Sequence, residues 1–396
     1  MYDYRGFMID SARHYQPIED IKEIIRAMAK LKFNKFHWHL TEDQGWRIEI
    51  EKYPLLNTKA AIRPYSDFGK THRDEPYGII YTKDEMRDIV KFCGELGIDV
   101  IPEFDMPGHT SALLSAYPEY SCGKKDIKIK THQGIYKDIL CIAKDETVEF
   151  VKDILDEIME IFPYEYIHIG GDEVPSAQWE NCVLCQSVMN TLGITDYTEY
   201  QNTFINKIID YLESKGRHGI VWNDIAKGKN LDKRAVIQYW KENDKATIEF
   251  INSGGKAILS PFSYYYTDYY YEITPLNRVY SFNPDLKGLT EEGKKNIIGL
   301  ETPMWTEYVE TKEYMQKLMF PRVIATAYTA LGKNDMPYSR FLCDVRAIRA
   351  ELEKDGIVFE DEKEWTYSRA HNPIGWKKFA NDHYTKDFFK ALKDNE

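Results

Sequence analysis

The chain has 396 residues, 43% hydrophobic and 29% charged, with 23 Gly, 16 Pro and 6 Cys. This is globular composition and excludes a disordered, collagen-like or disulfide-scaffold protein. Its 64 acidic against 52 basic side chains give a net charge of −12, which argues against a basic surface that grips nucleic-acid phosphates. No stretch approaches the ~18 uncharged apolar residues of a membrane span.

Short apolar runs alternate with helical patterns along the chain, as in repeated βα units. Residues 6–10 (GFMID) read as a first strand. Pro17 then opens a helix in its first turn, with Glu19 and Asp20 suited to the N-terminal dipole. Ile18, Ile21, Ile25 and Met28 give that helix one apolar face. Residues 35–40 (KFHWHL) are the second strand, followed by a long polar loop over 41–82 and a helix over 83–96. Residues 98–104 are the third strand, and 166–170 the fourth, after a helix around 147–161. A helix near 198–214 leads to strands at 219–223, 235–240, 256–260 and 296–301.

Eight βα repeats without a glycine-rich dinucleotide fingerprint predict an α/β fold, a closed (β/α)8 TIM barrel. A helix over 320–331 closes it, the spacing over 341–352 adds another, and Trp365, Trp376 and Phe388 bring the tail back onto the body. The expected organisation is a barrel over 1–355 and a short helical C-terminal extension over 356–396.

Six cysteines, Cys93, Cys122, Cys141, Cys182, Cys185 and Cys343, permit disulfides, although free thiols suit a chain this long equally well. Cys182-x-x-Cys185 is a single CxxC, two ligands short of a zinc ribbon, so no metal is expected. The opening residues Met1-Tyr2-Asp3-Tyr4-Arg5 carry no signal-peptide pattern. The expected address is cytoplasmic if the chain begins there, and secreted or at the surface if a leader was trimmed.

In such a barrel, reacting groups lie at the C-terminal ends of the strands. Asp10, Arg13 and His14 follow the first strand; His37, His39, Glu42 and Asp43 the second; Glu103, Asp105 and His109 the third. The fourth ends in His168-Ile169-Gly170-Gly171-Asp172-Glu173. Later ends carry Trp222-Asn223-Asp224, Trp240, Tyr266 with Asp268, and Trp305 with Glu307. Acids, imidazoles and an arginine thus meet aromatic walls with isolated carboxylates. That division suits a sugar, which stacks its apolar face on rings and binds carboxylates through its hydroxyls.

Two adjacent carboxylates, Asp172 and Glu173, cannot both ionise cheaply in a partly dry site, so one becomes a general acid near neutral pH. A solvated pair capping a helix is the plainer reading of an Asp-Glu dipeptide. The Gly170-Gly171 turn straight out of a buried strand favours a site. His37 and His39 share one face of their strand and are expected to pack inside the barrel.

Residues 5–14 (RGFMIDSARH), 37–47 (HWHLTEDQGWR), 102–110 (PEFDMPGHT) and 168–174 (HIGGDEV) resemble, in order, motifs of the family 20 glycoside hydrolases, the β-N-acetylhexosaminidases. Trp305-Thr306-Glu307-Tyr308 resembles the family's late Trp-x-Glu motif, and the resemblance runs from about Arg5 to Leu331. It implies a retaining exo-hydrolase in which the 2-acetamido oxygen of the substrate attacks C1 to form an oxazolinium ion, an exception to the two-carboxylate scheme. On that resemblance Glu173 is the acid and base, and Asp172 holds the acetamido N–H. Tyr266 binds the acetamido oxygen, while Arg13, Asp268 and Glu307 bind hydroxyls. Trp222, Trp240 and Trp305 box the acetamido methyl and the sugar face. His109 and Glu42 support Glu173; the commoner pattern at the latter position is Asp-Asp, where this chain has Glu42-Asp43.

The implied partner is a glycan with terminal β-linked GlcNAc or GalNAc, with no cofactor, nucleic acid or membrane involved. Two alternatives stay open: another specificity on the same fold, such as a lacto-N-biosidase or a 6-sulfo-GlcNAc glycosidase, and a non-catalytic sugar-binding barrel. Family members usually carry a small α/β domain before the barrel.

Overall fold

The computed structural model describes residues 1–384. Eight parallel strands close into a barrel: β1 (Tyr4–Asp10), β2 (Lys35–His39), β3 (Asp99–Glu103), β4 (Tyr166–His168), β5 (His218–Trp222), β6 (Val236–Tyr239), β7 (Lys256–Leu259) and β8 (Ile297–Met304). Neighbours in the sheet are neighbours in the chain, and β8 closes on β1. The register sets Ile9 beside both Trp38 of β2 and Met304 of β8.

The outer helices form where local chemistry marks their ends. Ile18–Lys30 buries Ile21, Ile24, Ile25 and Met28 against the barrel and has acids in its first turn. Lys83–Glu95 starts from a capping box in which Thr82 and Glu85 satisfy each other's backbone N–H. Asp196 caps Tyr197–Ser214, and Asp244 caps Lys245–Asn252. Among the described residues no helix is long and apolar enough to cross a membrane.

Strand β8 is longer than its sequence pattern. Pro303 reads as a terminator, because proline has no N–H for a ladder. Here Thr302, Pro303 and Met304 still pair with Phe7, Met8 and Ile9, and the Pro303 carbonyl accepts from Thr267 N at 2.9 Å.

The stretch 41–82 is also more ordered than a polar loop. It holds two hairpins, Thr41–Glu42 with Gly45–Trp46 and Ser66–Phe68 with Thr71–Arg73. Two buried arginines pin them. Arg47 donates to the carbonyls of Ser11, Ala12 and Ala61, and Arg63 to those of Arg13 and Gln44. Carbonyls that a buried loop would leave unsatisfied thus find donors.

After the barrel, the expected closing helix is Arg322–Ala330, and Pro321 separates it from a further helix, Lys312–Met319. Tyr338–Leu352 follows. Trp365 is buried, and its carbonyl accepts from Leu276 N at 2.8 Å. The helix Asn372–His383 sets Trp376 and Phe379 against Tyr269. Phe388 lies outside the described residues.

Candidate active site

Beyond β4 the chain turns through Gly170 and Gly171 into Asp172 and Glu173. Both glycines have left-handed backbones, φ +70° and +102°, and a Cβ on Gly170 would sit 1.7 Å from Asp105 Oδ1. Only glycine allows the turn to close on Asp105. Gly171 N donates to Asp105 Oδ1 at 3.3 Å, and Glu173 N to Asp224 Oδ1 at 3.2 Å. Glu173 and His109 themselves have φ of 50° and 51°. Two non-glycine residues in that region at one site mark stored strain of the kind that collects where function demands it. We predict that Gly170→Ala costs about 3 kcal/mol or more of stability, measured as a lowered melting temperature or as loss of soluble protein.

His109 stands between two pairs of acids. Its Nδ1 lies 3.1 Å from Glu42 Oε2 and 3.3 Å from Asp43 Oδ2; its Nε2 lies 3.6 Å from Asp172 Oδ2 and 3.9 Å from Glu173 Oε2. Burial alone would lower its pKa, but Glu42 and Asp172 raise it well above the ordinary histidine value. His109 is therefore an imidazolium at neutral pH. The same groups could surround a metal ion only by giving up these ion pairs.

Burial pushes Asp172 up to about 7; His109 opposes that shift, while Asp224 and Glu173 add to it. Burial also raises Glu173, against His109 and Lys241. Both carboxyls therefore stand above their ordinary range, with the charge of Glu173 adding to the shift of Asp172.

Arg13 anchors the opposite side. Its guanidinium reaches Glu42 Oε1 at 2.5 Å, Asp10 Oδ2 at 3.2 Å and Glu307 Oε1 at 3.7 Å, and it lies over the Trp305 ring. Asp268 is raised well above the usual carboxylate range by burial and by Glu307. Its Oδ1 is buried with no hydrogen-bond partner among the described residues. The walls are aromatic: Trp240 stacks with Tyr266 at 6.3 Å and 18°, and Tyr266 meets Trp305 at 6.2 Å.

These groups surround one cavity of about 390 Å³, a size that suits a small ligand. Arg13, Glu42, His109, Asp172, Glu173, Trp240, Tyr266, Asp268, Trp305 and Glu307 all line it. Trp222 does not. It is 1% exposed and lies behind Trp305, 5.8 Å from it, with its indole N–H given to Glu103 at 2.8 Å. It supports a wall rather than forming one.

Two further parts of the site have no role assigned from sequence. Asp224 takes hydrogen bonds from Trp240 Nε1 at 2.7 Å and Lys241 Nζ at 2.5 Å, and so fixes one wall beside Glu173. The rim is formed by Gln133, Gly134 and Ile135 from the β3–β4 connection and by Phe379 and Tyr384 from the tail. Asp224 stood at a strand end and could have been singled out there. The rim residues carry no local signal.

Below the cavity His37 and His39 pack inside the barrel, as expected. His37 bridges Glu103 at 3.0 Å and Glu301 at 2.9 Å, and His39 also bonds Glu103. Glu103 accepts from Trp222 as well and lies 2.9 Å from His168 Nδ1. The two glutamates outweigh burial and hold His37 up at about 9, so the floor is a neutralised, fully buried ion network.

The model of glycosyl hydrolase family 20, catalytic domain, matches residues 2–331. A β-hexosaminidase of Porphyromonas gingivalis is 38% identical over 84% of this chain and 44% of its own length. One of Vibrio furnissii is 34% identical over 83% and 57%. The chain thus spans about half the length of these curated relatives. The solved exo-β-N-acetylglucosaminidase of Vibrio harveyi, in complex with N-acetylglucosamine, is 30% identical with a TM-score of 0.81, covering 92% of this chain and 60% of that one. A β-N-acetylhexosaminidase of Bacteroides fragilis gives 30% and 0.78, covering 93% and 75%. Because that match spans most of the chain and contains all eight barrel strands, the chain belongs to glycosyl hydrolase family 20 and carries its catalytic domain.

Proposed function

We propose that this chain is a retaining exo-β-N-acetylhexosaminidase that removes terminal β-linked GlcNAc or GalNAc through an oxazolinium intermediate. The observation that carries the reading is the Asp172–Glu173 pair, raised in pKa beside the His109 imidazolium and facing an aromatic box. Residues 1–355 are read as the catalytic barrel and 356–396 as its C-terminal extension, of which 385–396 lie outside the described residues.

The chemistry follows from charge. As the acetamido oxygen attacks C1, positive charge builds on the acetamido group and negative charge on the departing oxygen. Asp172, ionised, accepts the acetamido N–H and stabilises the first charge. Glu173, protonated, gives its proton to the second and later takes one from water. Tyr266 donates to the acetamido oxygen and holds it below C1. Trp240 and Trp305 enclose the methyl and the sugar face. Arg13, Asp268 and Glu307, which line the same cavity, bind hydroxyls of the terminal sugar.

The working form carries one proton on the pair, placed on Glu173. Activity should fall at low pH as Asp172 gains a proton and at high pH as Glu173 loses its own, giving a bell. His109 lowers both pKa values. His109→Ala removes that positive charge, both rise, and the kcat/KM profile moves to higher pH while its maximum falls about ten- to a hundredfold. A residue that only held the fold would lower the maximum without moving the limbs.

Specificity is tested with a turnover panel of aryl β-glycosides of GlcNAc, GalNAc, 6-sulfo-GlcNAc and lacto-N-biose. Turnover of the first two supports the proposal. Turnover of lacto-N-biose or the sulfated sugar alone points to the corresponding relative. Binding without turnover of any of them points to a sugar-binding barrel.

A further inference from the structure

Four cysteines far apart in sequence meet in one cluster. Cys122 follows a short turn, Pro118–Tyr120, and Cys141 lies farther along the same β3–β4 connection, just before the helix Asp145–Ile161. Cys182 caps the helix Val183–Leu192, and Cys185 lies in its first turn. Cys185 Sγ is 3.8 Å from Cys122 Sγ and 3.7 Å from Cys141 Sγ, and all four residues offer a sulfur within 4.8 Å of the others. Cys141 and Cys185 are buried, and all four are free thiols.

These spacings discriminate between chemistries. A disulfide needs an S–S distance of about 2.05 Å, and neither close pair approaches it. Four sulfurs at about 2.3 Å from one zinc ion in a tetrahedron stand about 3.8 Å apart, the separation seen here. Thiols alone are weak hydrogen-bond donors, and four of them gain little by crowding together.

The surroundings suit thiolates. Cys182 and Cys185 sit where the first-turn N–H groups of a ten-residue helix point outward. The buried Tyr200 hydroxyl lies against Cys185 with no other partner among the described residues. Lys144 donates to the carbonyls of Glu119 and Ser121, beside Cys122, and brings a positive charge to the cluster.

We propose that Cys122, Cys141, Cys182 and Cys185 bind one structural Zn²⁺ as a closed four-thiolate site. Zinc replaces the four thiol protons, which leave to solvent; nothing is oxidised or reduced. The lone CxxC is thus half of a site whose other half the fold supplies. The ion staples the β3–β4 connection, which carries His109 and the rim residues Gly134 and Ile135, to the segment after Asp172 and Glu173. Trp179 already bridges the two by donating to the Leu140 carbonyl at 2.9 Å.

The test is metal content, independent of activity. Full-length protein from zinc-replete expression, purified with reductant and without chelator, should hold one zinc per chain by plasma mass spectrometry. Cys182→Ser/Cys185→Ser should lose it. Should that variant fail to fold, Co²⁺ exchanged into the wild-type protein should give the intense visible bands of tetrahedral cobalt thiolate. Chelator-stripped protein should melt at a lower temperature and recover with one equivalent of Zn²⁺. Zinc well below one equivalent, iron in its place, a disulfide among the four, or full zinc retained by a folded double variant would each overturn the proposal.

Discussion

Glu173→Gln lowers kcat/KM on an aryl β-N-acetylglucosaminide by about 10³- to 10⁴-fold, equal to roughly 4–5.5 kcal/mol of transition-state stabilisation. Glutamine keeps the shape of the side chain and has no proton to give. The loss should be greater still when the leaving group is a sugar, because a departing alkoxide needs that proton more than an aryl oxide does. The fold should survive. Glu173 is tied in through its backbone N–H to Asp224, a bond that the substitution keeps. Steady-state kinetics on both kinds of substrate and a thermal melt together check this expectation. Near wild-type turnover by a folded variant would remove Glu173 from the acid's role.

Asp172→Asn is the second large effect. It should lower kcat by about 10²- to 10³-fold with KM little changed, the pattern of an interaction made mainly in the transition state. Asparagine can still accept from the acetamido N–H but brings no charge against the developing cation. The substitution also takes a negative charge from beside Glu173. The Glu173 pKa should therefore fall, and the alkaline limb of the kcat/KM profile should move to lower pH. A drop in rate with unmoved limbs would mean that the two carboxyls do not titrate together. A rise in KM with unchanged kcat would make Asp172 a ground-state binder only.

Much of the fold was legible because barrel strands are buried on both faces and stand out as apolar runs. The strand at 166–170 illustrates the limit. Its ladder stops at His168, because Gly170 and Gly171 turn away with positive φ. The end of β8 was obscured in the opposite sense by Pro303, which has no N–H to give yet keeps its register beside Met8. The two hairpins of 41–82 depend on Arg47 and Arg63, whose carbonyl partners come from distant turns that no local window contains.

The site was legible to a similar degree and for a similar reason. Side chains at strand ends point into one opening whatever their sequence separation, so Arg13, Asp172, Tyr266 and Glu307 could be placed together from topology alone. Trp222 shows where that logic fails. A strand end fixes height in the barrel but not depth, and this indole sinks to the floor to reach Glu103. The rim from residues 133–135 and from Phe379 and Tyr384 comes from segments whose docking is purely tertiary. The cysteine cluster belongs to the same class, since only the fold brings Cys122 and Cys141 to Cys182 and Cys185.

The central claim is that the substrate's own acetamido group is the nucleophile. The most direct measurement compares kcat for an aryl β-N-acetylglucosaminide with kcat for the matching aryl β-glucoside, which carries a hydroxyl at the same carbon. Participation predicts that the glucoside, even at saturation, turns over at least about 10³-fold more slowly, since a well-placed internal nucleophile contributes several kcal/mol. Comparable kcat values for the two substrates would contradict the account.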